Sequence, residues 1–307
     1  MEEIIAPVDK ELIERELTKE LFLRNTNKAS NEIYIVTAKN APNTMREIGR
    51  LREIAFRTAG GGAGVSCDVD VFDTREEHPY HQLIVWNPEE REIIGGYRYL
   101  HGCEATFTDD GQPSLTSSHL FRFSEKFIKE YLPYTIELGR SFVRPEYQSS
   151  KMGAKSIFSL DNLWDGLGAL SLTIPNTKYF FGKATIYPSF SEASRMCIFS
   201  IMRKYFADKE NLVVPRHPID VDKHYEEMSK VLTGSSFKED YVILRNFVKQ
   251  NGHNIPPLIN AYISLSPTLK IFGSCINDEF SDVFETGLMI TIKDIFEQKR
   301  LRQDRKS

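Results

Sequence analysis

Residues 81–100 of the chain read HQLIVWNPEEREIIGGYRYL, and they limit the folds that are open to it. Two runs within them, His81–Asn87 and Glu92–Leu100, are rich in β-branched and aromatic residues and predict two strands. Between the runs stands Asn87-Pro88-Glu89-Glu90, a cluster of turn-forming residues. Strands joined by so short a loop pair antiparallel, because a parallel pair needs a crossover of about a dozen residues or more. The segment therefore predicts a β-hairpin.

On either side of this hairpin the pattern alternates between helix and strand. Residues 1–31 predict an acidic amphipathic helical segment that Asp9 caps. A strand at residues 33–37 and a helix opened by the capping box Thr44-x-x-Glu47 follow it. Beyond the hairpin the sequence predicts further strands and helices, over residues 134–143, 156–172, 179–186, 189–206, 240–250, 257–265, 269–275 and 286–292.

This order of elements decides the fold class. The hairpin strands follow each other without a crossover helix, which excludes a simple doubly wound sheet. We expect an α/β chain of the α+β kind, with one mixed sheet and a helical insertion in its C-terminal part. No repeat or low-complexity linker interrupts residues 32–295. They are therefore predicted to form a single domain, flanked by the N-terminal segment 1–31 and the basic tail 296–307.

The composition excludes several classes of protein. The 307 residues carry 39 Lys and Arg against 43 Asp and Glu, so no net positive field would hold a nucleic acid. No run of about 20 apolar residues exists to span a bilayer, and the acidic N-terminus differs from a signal peptide. The four scattered cysteines have no metal-ligand spacing, so we expect reduced thiols and no metal. Together these features predict a cytoplasmic protein.

Two further features concern apolar and lipid partners. The 20 Phe and 13 Tyr residues indicate either a large apolar core or an apolar ligand. The C-terminal tail holds the basic run Lys299, Arg300, Arg302, Arg305 and Lys306. Such a run is most often a solvated helix end, and the alternative is a peripheral contact with anionic lipid of the inner membrane.

Three loop motifs resemble known sites but lack their defining residues. Gly60–Gly64 follows a helix and has no Lys-Ser/Thr, unlike a phosphate-binding loop, which leaves a flexible loop over a ligand or a helix C-cap. After Asp68, Phe72 and Pro79 occupy positions where a calcium loop needs ligands. The pair His78-x-x-His81 is a weak metal signal, and no Gly-x-Ser-x-Gly elbow supports a serine nucleophile.

Charged residues in apolar surroundings mark a candidate site. Arg52 lies on the apolar face of a predicted helix, and Arg98 lies inside the second hairpin strand. Glu137 and Arg140 have opposite parity in a later strand, so in a regular strand they face opposite sides. Either one charge is buried in the core or a bulge near Gly139 re-aims the chain, and a salt-bridged strand end is the alternative without function. Charges that are costly to bury cluster at functional sites.

Eight segments of the chain form a recognisable series. They are LREIAFRTAGGGAG (51–64), DVDVFD (68–73), HQLIVW (81–86), IIGGYRYL (93–100), ELGRSFVRPEYQ (137–148), the LW of DNLWDGL (161–167), YFFGKATI (179–186) and IPPLINAYISLSPTLKIFGSCINDEF (255–280). In this order they resemble the GNAT-like N-acyltransferases that make ornithine and glycine lipids, also called hemolysin-like proteins. The resemblance covers about residues 1–295 and implies the GNAT acyltransferase fold.

The resemblance implies an N-acyltransferase of lipid biosynthesis. Its members transfer a long-chain acyl group, such as a 3-hydroxyacyl group, to the α-amine of ornithine or glycine and so form a lyso-aminolipid. The implied donor is the phosphopantetheine thioester of acyl carrier protein, with no tightly bound cofactor. Coenzyme A is the less favoured donor, because Gln148–Ala154 lacks the glycines of the usual pyrophosphate loop in register.

Two alternatives stay open beside this reading. The same series is similar to the acyl-homoserine-lactone synthases, which use S-adenosylmethionine, although those chains are shorter and lack the Pro-Pro-Leu ending. The hemolysin-like name implies a membrane-active protein, although the chain has no spanning segment and no cationic amphipathic helix. Glycine, ornithine and serine all stay open as acceptors, because the residues that meet the acceptor's side chain are not placed by the sequence.

The expected catalytic residues lie on one predicted strand. Glu137 is the expected general base for the amine, since an α-amine has a pKa of about 8 and is mostly protonated at neutral pH. Backbone N–H groups at Arg140, Ser141 and Phe142 are the expected donors to the oxyanion.

The expected substrate-binding residues lie earlier in the chain. Arg52 is expected, as an alternative to Arg140, to clamp a substrate carboxylate. Asp70 and Asp73 are expected to order the glycine-rich loop or to hold the ammonium group. The other residues expected to contact substrate are Arg98, Gly61 and Gly62.

Overall fold

The computed structural model describes residues 1–27, 30–148 and 165–295, and they form two compact units. The first unit combines the described parts of Met1–Ala105 and Tyr134–Lys178, and the second combines Thr106–Pro133 with residues 179–295. The boundary predicted at residue 31 does not separate the N-terminal segment, which belongs to the first unit. The predicted tail 296–307 lies outside the described residues.

Helices and strands alternate along the chain, as the hydrophobic pattern predicts. In chain order they are α1 (Lys10–Glu16), β1 (Phe22–Asn25), β2 (Glu32–Val36), α2 (Pro42–Ala59), α3 (Val71–Thr74), β3 (His81–Asn87), β4 (Glu92–His101), β5 (Phe121–Phe123), β6 (Thr135–Val143), α4 (165–173, its described part), β7 (Tyr179–Ile186), α5 (Glu192–Phe206), β8 (Val213–Pro215), α6 (Asp222–Val231), α7 (Phe237–Gln250), α8 (Pro257–Ile263), β9 (Lys270–Asn277) and β10 (Val283–Thr291). The start of the helix predicted over 156–172 lies outside the described residues.

The first unit is built on an antiparallel sheet with the strand order β1-β2-β3-β4-β6. β3 and β4 pair antiparallel in register across their short loop, which confirms the hairpin predicted from residues 81–100. Helix α2 packs closely on the segment that follows it. A Cβ added at Gly49 of this helix would stand 2.6 Å from both Cys67 Sγ and Val69 Cγ2, so only glycine allows the close approach.

Residues 1–31 do not form one long amphipathic helix, contrary to the prediction. Asp9 caps α1 as expected, because its carboxylate accepts a hydrogen bond from the backbone N–H of Glu11 at 2.9 Å. The helix ends at Glu16, and the chain then forms β1, which pairs with β2 and sets the ring of Phe22 edge-on to Tyr34. Strand pairing and this ring contact outweigh the weak local preference for helix.

Helix α2 begins differently from the predicted capping box. Its first residue is Pro42, whose fixed φ suits the first helical position. The carboxylate of Glu16 accepts hydrogen bonds from the backbone N–H groups of Asn43 and Thr44, at 2.9 and 2.7 Å. A distant carboxylate thus takes the place of the predicted pair of Thr44 with Glu47, and it ties the end of α1 to the start of α2.

The second unit holds a three-stranded antiparallel sheet in the order β7-β10-β9, the ribbon β5-β8, and the helices α5 to α8 of the predicted insertion. The rings of Phe123, Phe127 and Phe181 contact one another inside it, with centroids 5.2, 5.6 and 5.8 Å apart. Part of the high aromatic content therefore fills a core. Across the described residues of both units, we find no helix with the length and hydropathy needed to cross a bilayer.

Candidate active site

Seven polar side chains of the first unit meet between α2 and the sheet. They are Arg52 of α2, Asp68, Asp70 and Asp73 of the α3 segment, Gln82 of β3, Arg98 of β4 and Arg140 of β6. We call this set the charged cluster. It brings together all the arginines and aspartates that the sequence predicts as site residues. It also contains Asp68 and Gln82, to which the sequence assigns no role.

Arg52 is at the centre of the charged cluster and is fully buried. Its Nη1 donates to the carbonyl oxygen of Asp68 at 3.1 Å and to Asp73 Oδ2 at 3.0 Å. Its Nη2 donates to Gln82 Oε1 at 2.5 Å. These partners explain how an arginine occupies the apolar face of α2, since a buried guanidinium without them would be strongly destabilising.

The short helix α3 presents two aspartates to Arg98. Asp70 and Asp73 form a capping box, in which each carboxylate accepts a hydrogen bond from the backbone N–H of the other. The Nη1 of Arg98 donates to Asp70 Oδ2 at 2.6 Å and lies 3.4 Å from Asp73 Oδ2. Burial would raise the pKa of Asp73, but the charges of Arg52 and Arg98 outweigh it and hold that pKa below its ordinary value. Burial would lower the pKa of Arg98, but the charges of Asp73 and Asp70 outweigh it and raise that pKa.

The register of the sheet places Glu137 on the same face as the charged cluster. Gln82 stands opposite Arg98, Arg98 stands opposite Gly139, and Leu100 stands opposite Glu137. Residues that stand opposite each other point to the same side of a sheet, and so do alternate residues along one strand. Gln82, Arg98 and Glu137 therefore share a face, although they are far apart in the sequence.

Strand β6 contains a bulge, which confirms the expectation of a bulge near Gly139. The pairing with β4 skips a residue there, so that Arg140 and Ser141 together stand opposite Tyr97. Arg140 has a φ of 47°, a left-handed conformation that is uncommon for residues other than glycine. Backbone strain of this kind is often found at functional sites.

The bulge changes which side chains of β6 face the charged cluster. Arg140 turns towards it and places its Nε 2.9 Å from Asp68 Oδ2. Burial lowers the pKa of Arg140, while the charge of Asp68 acts in the opposite direction. Phe142 lies on the face of Glu137, whereas unbroken alternation predicts opposite faces for these two residues.

Glu137 is connected to the charged cluster through Tyr80, a residue that the sequence did not single out. Glu137 is only 2% exposed, and the buried hydroxyl of Tyr80 donates a hydrogen bond to its Oε2. The guanidinium of Arg98 lies over the Tyr80 ring, 5.6 Å from its centroid. The position of Tyr80, two residues before Gln82 and thus of the same parity, is the sequence signal that would have placed it on this face.

The glycine-rich loop begins as a helix C-cap, the second of its two predicted alternatives. Gly60 has a φ of 93°, which glycine adopts readily, and its N–H donates to carbonyl oxygens in the last turn of α2. Gly61 and Gly62 follow it and are buried. Their contact with substrate stays a prediction.

Two residues of α2 hold this loop, and the prediction that the aspartates of α3 order it is wrong. Glu53 is buried, and its carboxylate accepts hydrogen bonds from the backbone N–H of Ala63 at 2.9 Å and from Arg57 Nε at 2.5 Å. Arg57 also donates from Nη2 to the carbonyl of Val65 at 2.5 Å. The sequence gave no signal for this pair, because Glu and Arg four residues apart are common on exposed helix faces.

Each guanidinium of the charged cluster has an aspartate partner within it. The ion pairs are Arg52 with Asp73, Arg98 with Asp70 and Asp73, and Arg140 with Asp68. Arg52 is also closed to solvent, whereas the side chain of Arg140 is 19% exposed. The expected clamp of a substrate carboxylate by either arginine would therefore compete with an internal carboxylate.

The predicted histidine pair and the cysteines belong to other surroundings. His81 stacks on the ring of Tyr99 at a centroid distance of 5.2 Å, and burial lowers the pKa of His81. Within residues 1–27, 30–148 and 165–295, no three His, Cys, Asp or Glu side chains are grouped so as to hold a metal ion.

The lowered pKa of Asp73 predicts that acid weakens the fold. The stabilisation that Asp73 contributes is complete above the ordinary aspartate pKa of about 3.9. It is lost as the pH falls through the lower value of the folded state. We expect the urea midpoint of unfolding to fall as the pH is lowered from about 5 to 3. Urea titrations at stepped pH measure this, and a midpoint that stays constant over that range contradicts it.

Comparison with known proteins now adds to this geometry. Residues 51–156 match the family described as Acetyltransferase (GNAT) domain. The glycine N(alpha)-acyltransferase of Bacteroides thetaiotaomicron is 58% identical over 302 residues, which are 98% of this chain and 89% of that protein. The glycine N(alpha)-acyltransferase of Phocaeicola vulgatus is 55% identical over 302 residues, which are 98% of this chain and 92% of that protein.

One solved structure is also similar, the CoA-dependent acyl-homoserine lactone synthase BjaI with SAM and isopentyl-CoA. The two chains are 10% identical, the match covers 90% of this chain and 89% of that one, and the TM-score is 0.39. At this TM-score the likeness supports no conclusion about function.

The antiparallel sheet, the bulged strand with its buried glutamate and the matched domain define an acyltransferase with a GNAT-like fold. The chain belongs to the GNAT family of N-acyltransferases, as its identity with the two relatives shows. The fold implied by the sequence resemblance is thus confirmed.

Proposed function

We propose that the chain transfers a long-chain acyl group, such as a 3-hydroxyacyl group, from acyl carrier protein to the α-amine of glycine. The product is an N-acylglycine, which is a lyso-aminolipid. Glycine is favoured over ornithine because both relatives, at 58% and 55% identity, are named glycine N(alpha)-acyltransferase. Neither of these names supports the hemolysin-like description.

Glu137 is the proposed general base, and its surroundings carry the proposal. An α-amine has a pKa of about 8 and must lose a proton before it attacks a thioester. The carboxylate of Glu137 is buried and is oriented by the Tyr80 hydroxyl, so its geometry is set before substrate binds. The ammonium proton would pass to Glu137 directly or through one water.

The bulge of β6 is the proposed oxyanion site. Attack of the amine places negative charge on the thioester oxygen, and preorganised backbone N–H groups stabilise such a charge. A bulge interrupts the regular ladder of hydrogen bonds and re-aims the backbone. The N–H groups at Arg140, Ser141 and Phe142 are the proposed donors, and they follow Glu137 by three to five residues on the same strand.

Collapse of the tetrahedral intermediate would complete the reaction. The carbon–sulfur bond breaks, the amide bond is retained, and the phosphopantetheine thiolate leaves. A thiol has an ordinary pKa of about 8.5, so the thiolate takes a proton readily, and protonated Glu137 is the proposed source. Glu137 thereby returns to its ionised form for the next turnover.

The choice of acyl carrier protein as donor rests on the sequence after β6. Gln148-Ser149-Ser150-Lys151-Met152-Gly153-Ala154 lacks, in register, the glycines that the usual coenzyme A loop contains. Residues 149–154 lie outside the described part of the chain. Acyl carrier protein presents the same phosphopantetheine thioester through contacts of its own, so we propose it as the donor and coenzyme A as the poorer one.

The charged cluster is proposed to position the catalytic strand. Arg140 and Asp68 join the bulge to the segment before α3, and Arg98 lies against the ring of Tyr80. Asp70 and Asp73 hold Arg98 and Arg52 in turn, so these expected substrate-binding residues would act through other side chains.

Purified protein tests the proposal directly. We expect N-acylglycine as the main product when 3-hydroxyacyl carrier protein is supplied with glycine, ornithine and serine together. The same acyl group on coenzyme A is expected to react more slowly, and mass spectrometry identifies each product. N-acylornithine as the main product would contradict the acceptor. Acyl-homoserine lactone formed from S-adenosylmethionine, or vesicle lysis without substrate, would support the alternative classes.

A further inference from the structure

One face of the sheet in the second unit carries polar side chains that the proposed catalytic steps do not use. Thr185 of β7 stands opposite Glu285 of β10, and Glu285 stands opposite Cys275 of β9. Alternation along the strands places Lys183 and Asn277 on the same face. Glu285 is only 4% exposed, so this polar group lies inside the unit rather than on its surface.

The contacts within this group leave hydrogen-bonding capacity of both kinds. Thr185 Oγ1 donates to Glu285 Oε2 at 3.0 Å, and Asn277 Nδ2 donates to Glu285 Oε1 at 3.5 Å. The Nζ of Lys183 lies 3.8 Å from Glu285 Oε1, which is too long for a hydrogen bond. Asn277 is 2% exposed, and in the described part of the chain its Oδ1 has no hydrogen-bond partner.

Such unused groups are unfavourable unless a ligand satisfies them. An ammonium carries three donors, and in the described residues Lys183 uses none of them, although its side chain is only 15% exposed. A buried polar atom without a partner costs free energy, so native structures rarely retain one without a reason. Lys183 and the Oδ1 of Asn277 are therefore a donor and an acceptor in want of a partner.

Lys183 is the cation of this group. Burial and the charge of Lys183 lower the pKa of the neighbouring His119, while Glu279 and Asn277 act in the opposite direction. The lowered pKa keeps His119 neutral at neutral pH. A ligand in this place would thus meet one ammonium and one carboxylate, with an amide oxygen beside them.

We propose that Lys183, Thr185, Asn277 and Glu285 form a recognition site for the α-amino acid acceptor. The α-carboxylate of the amino acid would accept hydrogen bonds from Lys183, and its α-ammonium would donate to Glu285 and to Asn277 Oδ1. A zwitterion matches both charges, whereas phosphate would be repelled by Glu285 and a neutral amide would leave Lys183 without a counter-charge. This assignment rests on the proposed function, because it names where the acceptor of that reaction binds.

Steady-state kinetics of Lys183→Met test the site, with glycine varied at saturating acyl donor. We expect the KM for glycine to rise about tenfold or more, since a charged hydrogen bond is lost, while kcat changes much less. Lys183→Arg should restore part of the affinity. The matched control is Lys209→Met, which removes an exposed lysine of the same unit and should leave both constants unchanged. An unchanged KM in folded Lys183→Met overturns the assignment.

Glycinamide gives an independent readout, because it lacks the carboxylate that Lys183 would bind. In the wild type it should have a higher KM than glycine, and Lys183→Met should raise that KM little further, as expected when both changes remove one interaction. If Lys183→Met raises the two KM values by the same factor, the lysine acts on the fold and the site is wrong.

Failure of the site and failure of the proposed function give different results. Turnover of glycine with an unchanged KM in Lys183→Met would remove the site and keep the function. If the wild type acylates no amino acid, saturation-transfer NMR with glycine still tests the site. Glycine signals that are saturated by the wild type and not by Lys183→Met would support it, and equal signals would overturn it.

Discussion

Replacement of Glu137 by glutamine is expected to lower turnover by about 10²–10⁴-fold, the usual contribution of a general base. Glutamine keeps the shape of the side chain and an oxygen that can accept from the Tyr80 hydroxyl, so the fold should persist. It cannot take a proton from the acceptor amine. Single-turnover acyl transfer from acyl carrier protein measures the effect, and binding of acyl carrier protein should persist.

Glu92 provides the matched control for this variant. It lies on β4 of the same unit and also accepts a hydrogen bond from a tyrosine hydroxyl, that of Tyr147, at 2.7 Å. It pairs with Arg144 as well. Glu92→Gln should therefore report the cost of changing a tyrosine-bound glutamate in this sheet without loss of the base. Equal turnover in Glu137→Gln and Glu92→Gln would remove Glu137 from the mechanism.

The second large effect concerns stability. Asp73→Asn is expected to lower the free energy of unfolding by about 3–5 kcal/mol, the cost of removing one partner of a buried ion pair. Asp73 is fully buried, and its carboxylate accepts hydrogen bonds from Arg52, Arg98 and Gln82. The amide leaves both guanidiniums with less compensating charge in the protein interior. Urea unfolding measured at neutral pH gives the difference.

Asp109→Asn is the control for this measurement. Asp109 is exposed in the second unit, so its change should stay within about 0.5 kcal/mol of the wild type. A loss in Asp73→Asn of the same small size as in Asp109→Asn would show that the charged cluster does not stabilise the first unit. The acid dependence described above should then be absent as well.

The hairpin, α2 and the closing strands were predictable because local patterns specify them. Alternating apolar residues and a turn of Asn, Pro and Glu lead to β3 and β4 whatever their surroundings. The N-terminal segment was predicted wrongly, since β1 depends on pairing with β2. The start of α2 was also missed, because Glu16 caps it from outside the helix.

For the candidate site, the sequence identified residues but not their partners. Arg52, Arg98 and Glu137 were recognisable because a charge in an apolar segment is costly to bury. Asp68, Gln82 and Tyr80 were not, because each is an ordinary residue in its own local pattern.

The sequence alone thus determined the order of helices and strands, the exclusion of a doubly wound sheet, and which charges were out of place. These properties depend on neighbours a few residues away along the chain. Only the tertiary structure decided that Asp73 compensates Arg52 and Arg98, and that Tyr80 orients Glu137. The physical reason is that a buried charge is stabilised by groups distant in sequence, and the register and bulge of β6 determine which of them it meets.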